Sequence, residues 1–197
     1  MKGNWKMKDA IISWKKRSLM MLLKIIKLYI PGFIKKKKML ELFRLTADAF
    51  QCEPPDLRRL TFARILSEYA LFTKVQAEGY FQSSLPLDEL KQRLYKNSYT
   101  YGQNLKKSFH IASREEAVAM LEVIYKLIEI DFKYEQDKFI IKRCFFSKYY
   151  SKEACKLLSS LDNGLAAGLL GGRLRFYQRI PEGCSCCKGY LKGGFLK

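Results

Sequence analysis

Cysteines near the end of the chain are the first residues whose type and spacing could do chemistry. Three of the six lie within four positions, at Cys184, Cys186 and Cys187. A thiol can attack a substrate, hold a metal ion, or pack as a small apolar side chain. Six cysteines in 197 residues are too few for a disulfide scaffold, so the choice lies among these three roles.

The spacing Cys184-x-x-Cys187 is typical of half a zinc site. Cys144 and Cys155 could complete a set of four thiolates, which needs no histidine in a chain that has only one, His110. Zinc held by these four cysteines is therefore one interpretation of the cluster. A zinc site of this kind usually shows two such pairs, however, and this sequence shows one, so the other roles stay open.

A polar stripe lies on the predicted helix KEACKLLSSLDNGLAAGLL. Cys155 and Asp162 are seven residues apart, close to two helical turns, and Ser159 lies between them on the same face. A carboxylate there can deprotonate a substrate and a thiol can attack one. Alternatively, Cys155 is a small buried hydrophobe and Asp162 lies near the surface. Gly164 and Gly168, four apart, indicate close approach by another backbone or a ligand, which favours a pocket beneath this helix.

Helical patterns fill residues 39–130, before the segment that carries these groups. One helix is predicted to open at the sequence EPPD and to end at Gly79. One or two further helices follow, with Gly102 as a weak point. The next helix begins with a capping box from Ser113 to Glu116, in which side chain and backbone cap each other.

The hydrophobic pattern changes from helical to alternating at Asp131. A hairpin around Glu135-Gln136-Asp137, the helix 151–170, and two strands joined by Pro181-Glu182-Gly183 give the order β-β-α-β-β. We therefore expect an α+β fold, with N-terminal helices followed by an antiparallel sheet unit in residues 131–197. The helix 151–170 should cover one face of this sheet.

Positive charge is concentrated at the N-terminus. The chain has a net charge of +18, and residues 1–38 hold twelve Lys/Arg and one Asp, a net of +11. The remaining 159 residues hold twenty-five bases and eighteen acids, a net of +7, so nucleic-acid binding by the main domain (residues 39–197) is not expected. The N-terminal pattern predicts a basic amphipathic helix ended by Pro31-Gly32 and followed by the cluster Lys35–Lys38.

Three partners fit this N-terminal helix: the domain itself, a second copy in a homodimer, or an anionic membrane surface contacted through residues 10–38. The apolar part is too short, and too interrupted by lysines, for a transmembrane span. No signal peptide is evident, so we expect a protein of the reducing cytoplasm, with membrane-peripheral attachment as the alternative.

The C-terminal third resembles the L-2-amino-thiazoline-4-carboxylic acid hydrolase family over about residues 131–192. That family shows a hairpin ending near a cysteine, a helix with Cys and Asp, glycines, a strand with arginine and a final Gly-x-x-x-Cys strand. The corresponding residues here are Cys144, Cys155 with Asp162, Gly171-Gly172, Arg179, and Gly183 followed by Cys187. The same layout is also similar to 4-vinyl reductase domains, which bind small molecules and can hold zinc.

The resemblance implies a hydrolase that opens a cyclic C=N bond in a small sulfur heterocycle with water. Asp162 would be the base, Cys155 or Cys187 the thiol, and Arg179 the clamp for a substrate carboxylate, with Ser159 also binding substrate. The alternative is a non-catalytic module for a small ligand or zinc. Neighbours in a strand face opposite sides, and the resembled pattern makes Cys187, rather than its neighbour Cys186, the inward thiol.

Overall fold

The computed structural model describes residues 19–194, which form an α+β fold. In chain order the main elements are α1 (19–28), α2 (Gly32–Phe50), α3 (Phe62–Gln82), α4 (Leu87–Ser108), α5 (Arg114–Leu127), β1 (Ile130–Glu135), β2 (Lys138–Cys144), α6 (Lys152–Leu170), β3 (Arg173–Gln178) and β4 (Cys187–Lys192). Helices followed by a β-β-α-β-β unit are the predicted order, and the predicted fold class is confirmed. None of the described helices is long and apolar enough to cross a bilayer.

The four strands form one antiparallel sheet in the order β1-β2-β4-β3. The β1–β2 hairpin turns at Gln136 and Asp137, whose φ angles of 50° and 62° suit a tight hairpin turn. Between β3 and β4 the chain makes a short 3₁₀ helix, Ile180–Glu182, so that β4 starts at Cys187. Cys187 therefore opens a central strand of the sheet.

Helix α6 covers one face of this sheet, as predicted. It begins at Ser151, whose side chain accepts a hydrogen bond from the Ala154 N–H (3.1 Å), and ends at Gly171 with a left-handed φ of 78°. Its buried apolar residues pack in one core with those of the sheet. From α6 these are Leu165, Ala166, Leu169 and Leu170, and from the sheet Ile130, Phe132, Phe139, Ile141, Leu174 and Cys187.

Glycines bring α6 and α4 unusually close together. A Cβ added at Gly164 would lie 2.2 Å from the Tyr95 carbonyl oxygen, and one at Gly168 would lie 2.5 Å from the Tyr99 carbonyl oxygen. Gly102 of α4 faces Gly168 in the same contact. The close approach expected from the two α6 glycines is therefore made by another helix. Gly102 lies within one continuous α4, because the contact with α6 stabilises a helix that the glycine alone would weaken.

The N-terminal segment differs from the prediction in its boundaries. Pro31 is the N-cap residue of α2, and Lys35–Lys38 lie within that helix, so Pro31-Gly32 separates two helices. The expected domain boundary after residue 38 thus falls inside α2. Leu23 of α1 and Ile30 after it are buried in the main core, so this part of the chain packs on the domain. Residues 1–18 lie outside the described part.

Helix α3 also differs from the prediction, which opened it at EPPD and ended it at Gly79. It begins at Phe62, and the side chain of Thr61 caps it by accepting a hydrogen bond from the Arg64 N–H at 3.4 Å. Asp56 instead forms a local ion pair with Arg58 in the preceding turn. The capping hydrogen bond of Thr61 therefore fixes the start of α3, and the helix continues through Gly79 to Gln82.

Candidate functional site

A cavity of about 140 Å³ lies between the sheet, α6 and the surrounding helices. Residues from α2 to α6 and from all four strands line it, and most of them are aliphatic or aromatic. An apolar cavity of about this volume accommodates a molecule the size of benzene. The cavity is thus suited to a small ligand with a largely apolar body.

Six of the seven residues selected from the sequence line this one cavity. They are Cys144, Cys155, Ser159, Asp162, Arg179 and Cys187. Cys155, Ser159 and Asp162 come from a single face of α6, as their spacing predicted, while β2, β4 and the segment after β3 supply the others. Cys184 does not line the cavity and is half-buried in the loop before β4.

Asp162 is the acidic residue of the cavity. The Tyr125 hydroxyl donates a hydrogen bond of 2.7 Å to Asp162 Oδ1. Asp162 is half-buried at the cavity wall, and burial raises the pKa of its carboxyl to about 6, although the Tyr125 hydrogen bond and the charge of Arg179 both act to lower it. A carboxyl with a pKa near 6 can exchange a proton with a substrate or water close to neutral pH.

Arg179 brings a positive charge to the same cavity with weak protein contacts. Its Nη1 donates to the Phe176 carbonyl oxygen at 3.5 Å and its Nη2 to Ser159 Oγ at 3.4 Å, both long bonds. Its Nε is buried without a hydrogen-bond partner, and within residues 19–194 Arg179 forms no salt bridge. The guanidinium also lies over the Phe176 ring at 5.2 Å. Arg179 is half-buried, and a guanidinium with unused donors beside a cavity favours an anionic ligand.

Ser159 holds its hydroxyl in a fixed orientation for Arg179. The side chain is buried and donates to the Cys155 carbonyl oxygen at 2.7 Å, one turn earlier in α6. The Ser159 oxygen then remains as an acceptor toward the Arg179 guanidinium. Ser159 is thus placed to position the arginine as well as to border the ligand space.

The three thiols of the cavity are held in their protonated form. Burial raises the pKa of Cys144 and that of Cys155 to about 12, and the nearby Asp162 charge acts in the same direction. Burial also raises the pKa of Cys187, although its sulfur accepts a hydrogen bond from the Ile180 N–H at 3.3 Å. Because the thiolate is the nucleophilic form, these thiols are poor nucleophiles at neutral pH.

The predicted four-cysteine zinc site is not assembled in this structure. Within residues 19–194, no three Cys, His, Asp or Glu side chains are arranged so that they could hold a metal ion. Cys184 lies apart from the cavity that Cys144, Cys155 and Cys187 line. Cys187 is buried and faces inward, whereas Cys186 is half-buried and outside the lining, so the predicted orientation of this pair is confirmed.

Tyr125 and Lys38 are polar lining residues that were not selected from the sequence. Tyr125 lies on α5 and reaches Asp162 across 37 positions of the chain. A tyrosine on the apolar face of a helix needs a partner for its hydroxyl, and this signal in EVIYKL could have identified it. Lys38 also borders the cavity, paired with Glu41 at 2.6 Å. Because Lys38 stands in a run of four lysines, nothing in the sequence singled it out as a cavity residue.

The two remaining residues with reactive side chains lie elsewhere. His110 is exposed in the turn after α4 and does not line the cavity. Cys52 is half-buried after α2, with its sulfur 3.7 Å from the Ala47 carbonyl oxygen. Neither can contribute to chemistry in the cavity in this conformation.

Comparison with known proteins adds no assignment. No protein-family model matches the chain, and no curated protein is significantly similar to it in sequence. The argument for a function therefore rests on the residues of the cavity and on their geometry.

Proposed function

We propose that this protein is a small-molecule hydrolase whose cavity holds a compact, largely apolar substrate with one anionic group. The observation that supports it best is the pairing of two groups on one small cavity. Asp162 supplies a carboxyl whose pKa is raised to about 6, and Arg179 supplies a half-buried cation that forms no salt bridge within residues 19–194. An anionic ligand would satisfy the arginine and leave the carboxyl facing the substrate.

The proposed substrate class is a small ring that contains a C=N bond and bears a carboxylate, as in L-2-amino-thiazoline-4-carboxylic acid. The family resemblance of residues 131–192 suggests this class, and a cavity of about 140 Å³ fits a five-membered ring. Arg179 would bind the substrate carboxylate, and Ser159 would keep the guanidinium in position.

Asp162 would act as the general base in the addition of water. It would take a proton from a water molecule while the water oxygen bonds to the carbon of the C=N group. Asp162 would return this proton to the ring nitrogen, which gives a tetrahedral carbon that bears a hydroxyl group and a single bond to nitrogen. Asp162 would then take the hydroxyl proton as the C=O bond forms, and would pass it to the nitrogen as the carbon–nitrogen ring bond breaks with its electron pair on nitrogen. Tyr125 donates its hydrogen bond to Oδ1, so Oδ2 would face the water.

The thiols have a different role in this proposal from the one their type suggested. With pKa values raised to about 12, Cys144 and Cys155 are protonated at neutral pH, and Cys187 is shifted in the same direction. We therefore assign water, rather than Cys155 or Cys187, as the nucleophile. The three thiols would form a weakly polar wall against the substrate.

The test is an assay for ring opening with L-2-amino-thiazoline-4-carboxylic acid, read by mass spectrometry as the addition of one water. Asp162→Asn should abolish turnover while substrate still binds. Arg179→Gln should raise KM, because it removes the carboxylate clamp. Arg175→Gln is the matched control, since Arg175 lies exposed on β3 and outside the cavity. Turnover that persists in Asp162→Asn would contradict the proposed base.

A non-catalytic small-ligand module is the second candidate, and the mostly apolar lining with protonated thiols favours it. Calorimetry would then detect saturable binding of a carboxylated ring compound with no water added, and Arg179→Gln would weaken that binding. The zinc-binding form of this alternative has less support, because the described residues contain no metal-holding group. Under either candidate we place the protein in the cytoplasm, since all six cysteines are free.

A further inference from the structure

Exposed apolar side chains are concentrated at the N-terminal end of the described chain. Fifteen large hydrophobic side chains are exposed among residues 19–194, and seven of them lie within residues 21–34. We call the most exposed of them the N-terminal patch, which consists of Met21, Leu22, Ile25, Leu28, Tyr29 and Phe33. Leu28 is 83% exposed, and Tyr29 and Phe33 are each 74% exposed. Proteins in solution rarely leave so many apolar side chains of one segment exposed unless they contact a partner.

Most of the patch lies on the outer face of α1, whose inner face packs on the domain, while Tyr29 lies in the linker and Phe33 in α2. Leu23 of α1 and Ile30 after it pack in the core, and Lys27 binds Glu122 of α5 at 2.5 Å. Lys126 of α5 also donates to the Lys27 carbonyl oxygen. The helix therefore cannot rotate to bury the patch without leaving the core. Its outer apolar residues remain available to something other than this domain.

Positive charge surrounds the patch. Residues 1–38 carry a net charge of +11, and the exposed lysines Lys24 and Lys37 lie within or beside the patch. An apolar face bordered by lysines is the combination that adsorbs to anionic lipid surfaces, where the apolar side chains enter the interface and the lysines meet the headgroups. The described helices are too short or too polar to span a bilayer, so contact through this patch would be peripheral.

We propose that the N-terminal patch docks this protein on the surface of membranes that contain anionic lipids. A second copy fits the patch less well, because two segments of net charge +11 would repel each other. A nucleic acid also fits less well, because its phosphates offer no partner for exposed leucine, isoleucine and phenylalanine side chains. The proposal does not depend on the hydrolase activity.

The test uses full-length protein and sedimentation with two kinds of vesicle, phosphatidylcholine alone and phosphatidylcholine with phosphatidylserine. Leu28→Glu combined with Phe33→Glu removes two apolar side chains from the patch. Val75→Glu combined with Leu85→Glu is the matched control, because both residues are exposed on other helices or loops and the change in charge is identical. Circular dichroism establishes whether each variant folds. If a glutamate variant does not fold, serine replaces glutamate at the same four positions.

The wild-type protein should bind the anionic vesicles and not the neutral ones, and high salt should weaken the binding. The patch variant should bind the anionic vesicles at least about tenfold more weakly, while the control variant should lose clearly less. Absence of wild-type binding would overturn the proposal. Equal loss in both variants would also overturn it, because charge alone would then account for the binding. A wild-type dimer that the patch variant abolishes, without vesicle binding, would assign the patch to a second copy instead.

Discussion

Asp162→Asn should stabilise the protein at neutral pH, because burial in the folded protein destabilises the charged form of the wild-type carboxyl. Its pKa is about 6 in the folded protein against an ordinary value of 3.8. A carboxyl whose pKa is raised by folding gives its full contribution to stability below pH 3.8, and loses it as pH rises through about 6. The folded and ordinary pKa values differ by about two, so the free energy of unfolding falls by about 3 kcal/mol once the pH is above 6. Asparagine has the same shape and no charge, and it can still accept the Tyr125 hydrogen bond.

Urea unfolding of both proteins at pH 4 and at pH 8 measures this difference directly. The free energy of unfolding should be higher for Asp162→Asn by up to about 3 kcal/mol at pH 8 and nearly equal at pH 4. Asp88→Asn is the control, because Asp88 is exposed and its hydrogen bond with Lys91 lowers its pKa. Removing that carboxylate should change stability slightly, and in the opposite sense.

A wild-type protein that is as stable as Asp162→Asn at pH 8 would refute the reasoning. It would mean that the carboxyl is hydrated or paired well enough to carry its charge without cost. An equal gain at pH 4 and pH 8 would also refute it, because the gain would then come from packing. If Asp162→Asn is more stable than the wild type but has lost turnover, the carboxyl lowers stability and is retained for its function, as is common at active sites.

Three further outcomes follow from the same structure. Gly164→Ala should lower the free energy of unfolding by about 1–3 kcal/mol, since its Cβ would lie 2.2 Å from a backbone oxygen of α4; Gly79→Ala, with nothing within 4 Å, should raise it by about 0.5–1 kcal/mol. Tyr125→Phe should raise the pKa of the neighbouring carboxyl above about 6, which NMR titration would detect, because the hydrogen bond that lowers it is lost; an unchanged value would mean that this bond does not stabilise the charge. In the folded protein, Cys186 should react with a thiol reagent faster than the buried Cys187, as peptide mapping would show, and equal rates would place Cys187 at the surface.

Local hydrogen-bonding groups explain which elements could be predicted from sequence. The capping box of Ser113 and Glu116 is present in the structure, and so is the cap from Ser151 that opens α6. Each depends on residues within one helical turn, so the sequence contains all the information needed. The predicted helix break at Pro31-Gly32 is present, between α1 and α2. The predicted start of α3 was wrong, because several residues nearby could open a helix and packing selected among them.

The sequence by itself determined that Cys155, Ser159 and Asp162 would share one face of a helix, since the helical period fixes their directions. Only the tertiary structure decided what that helix face meets. Tyr125 reaches Asp162 from 37 residues away, and α4 rather than a ligand fills the space beside Gly164. The protonation of the thiols and of Asp162 was likewise undecided in the sequence, because a pKa depends on burial and on charges that folding brings near.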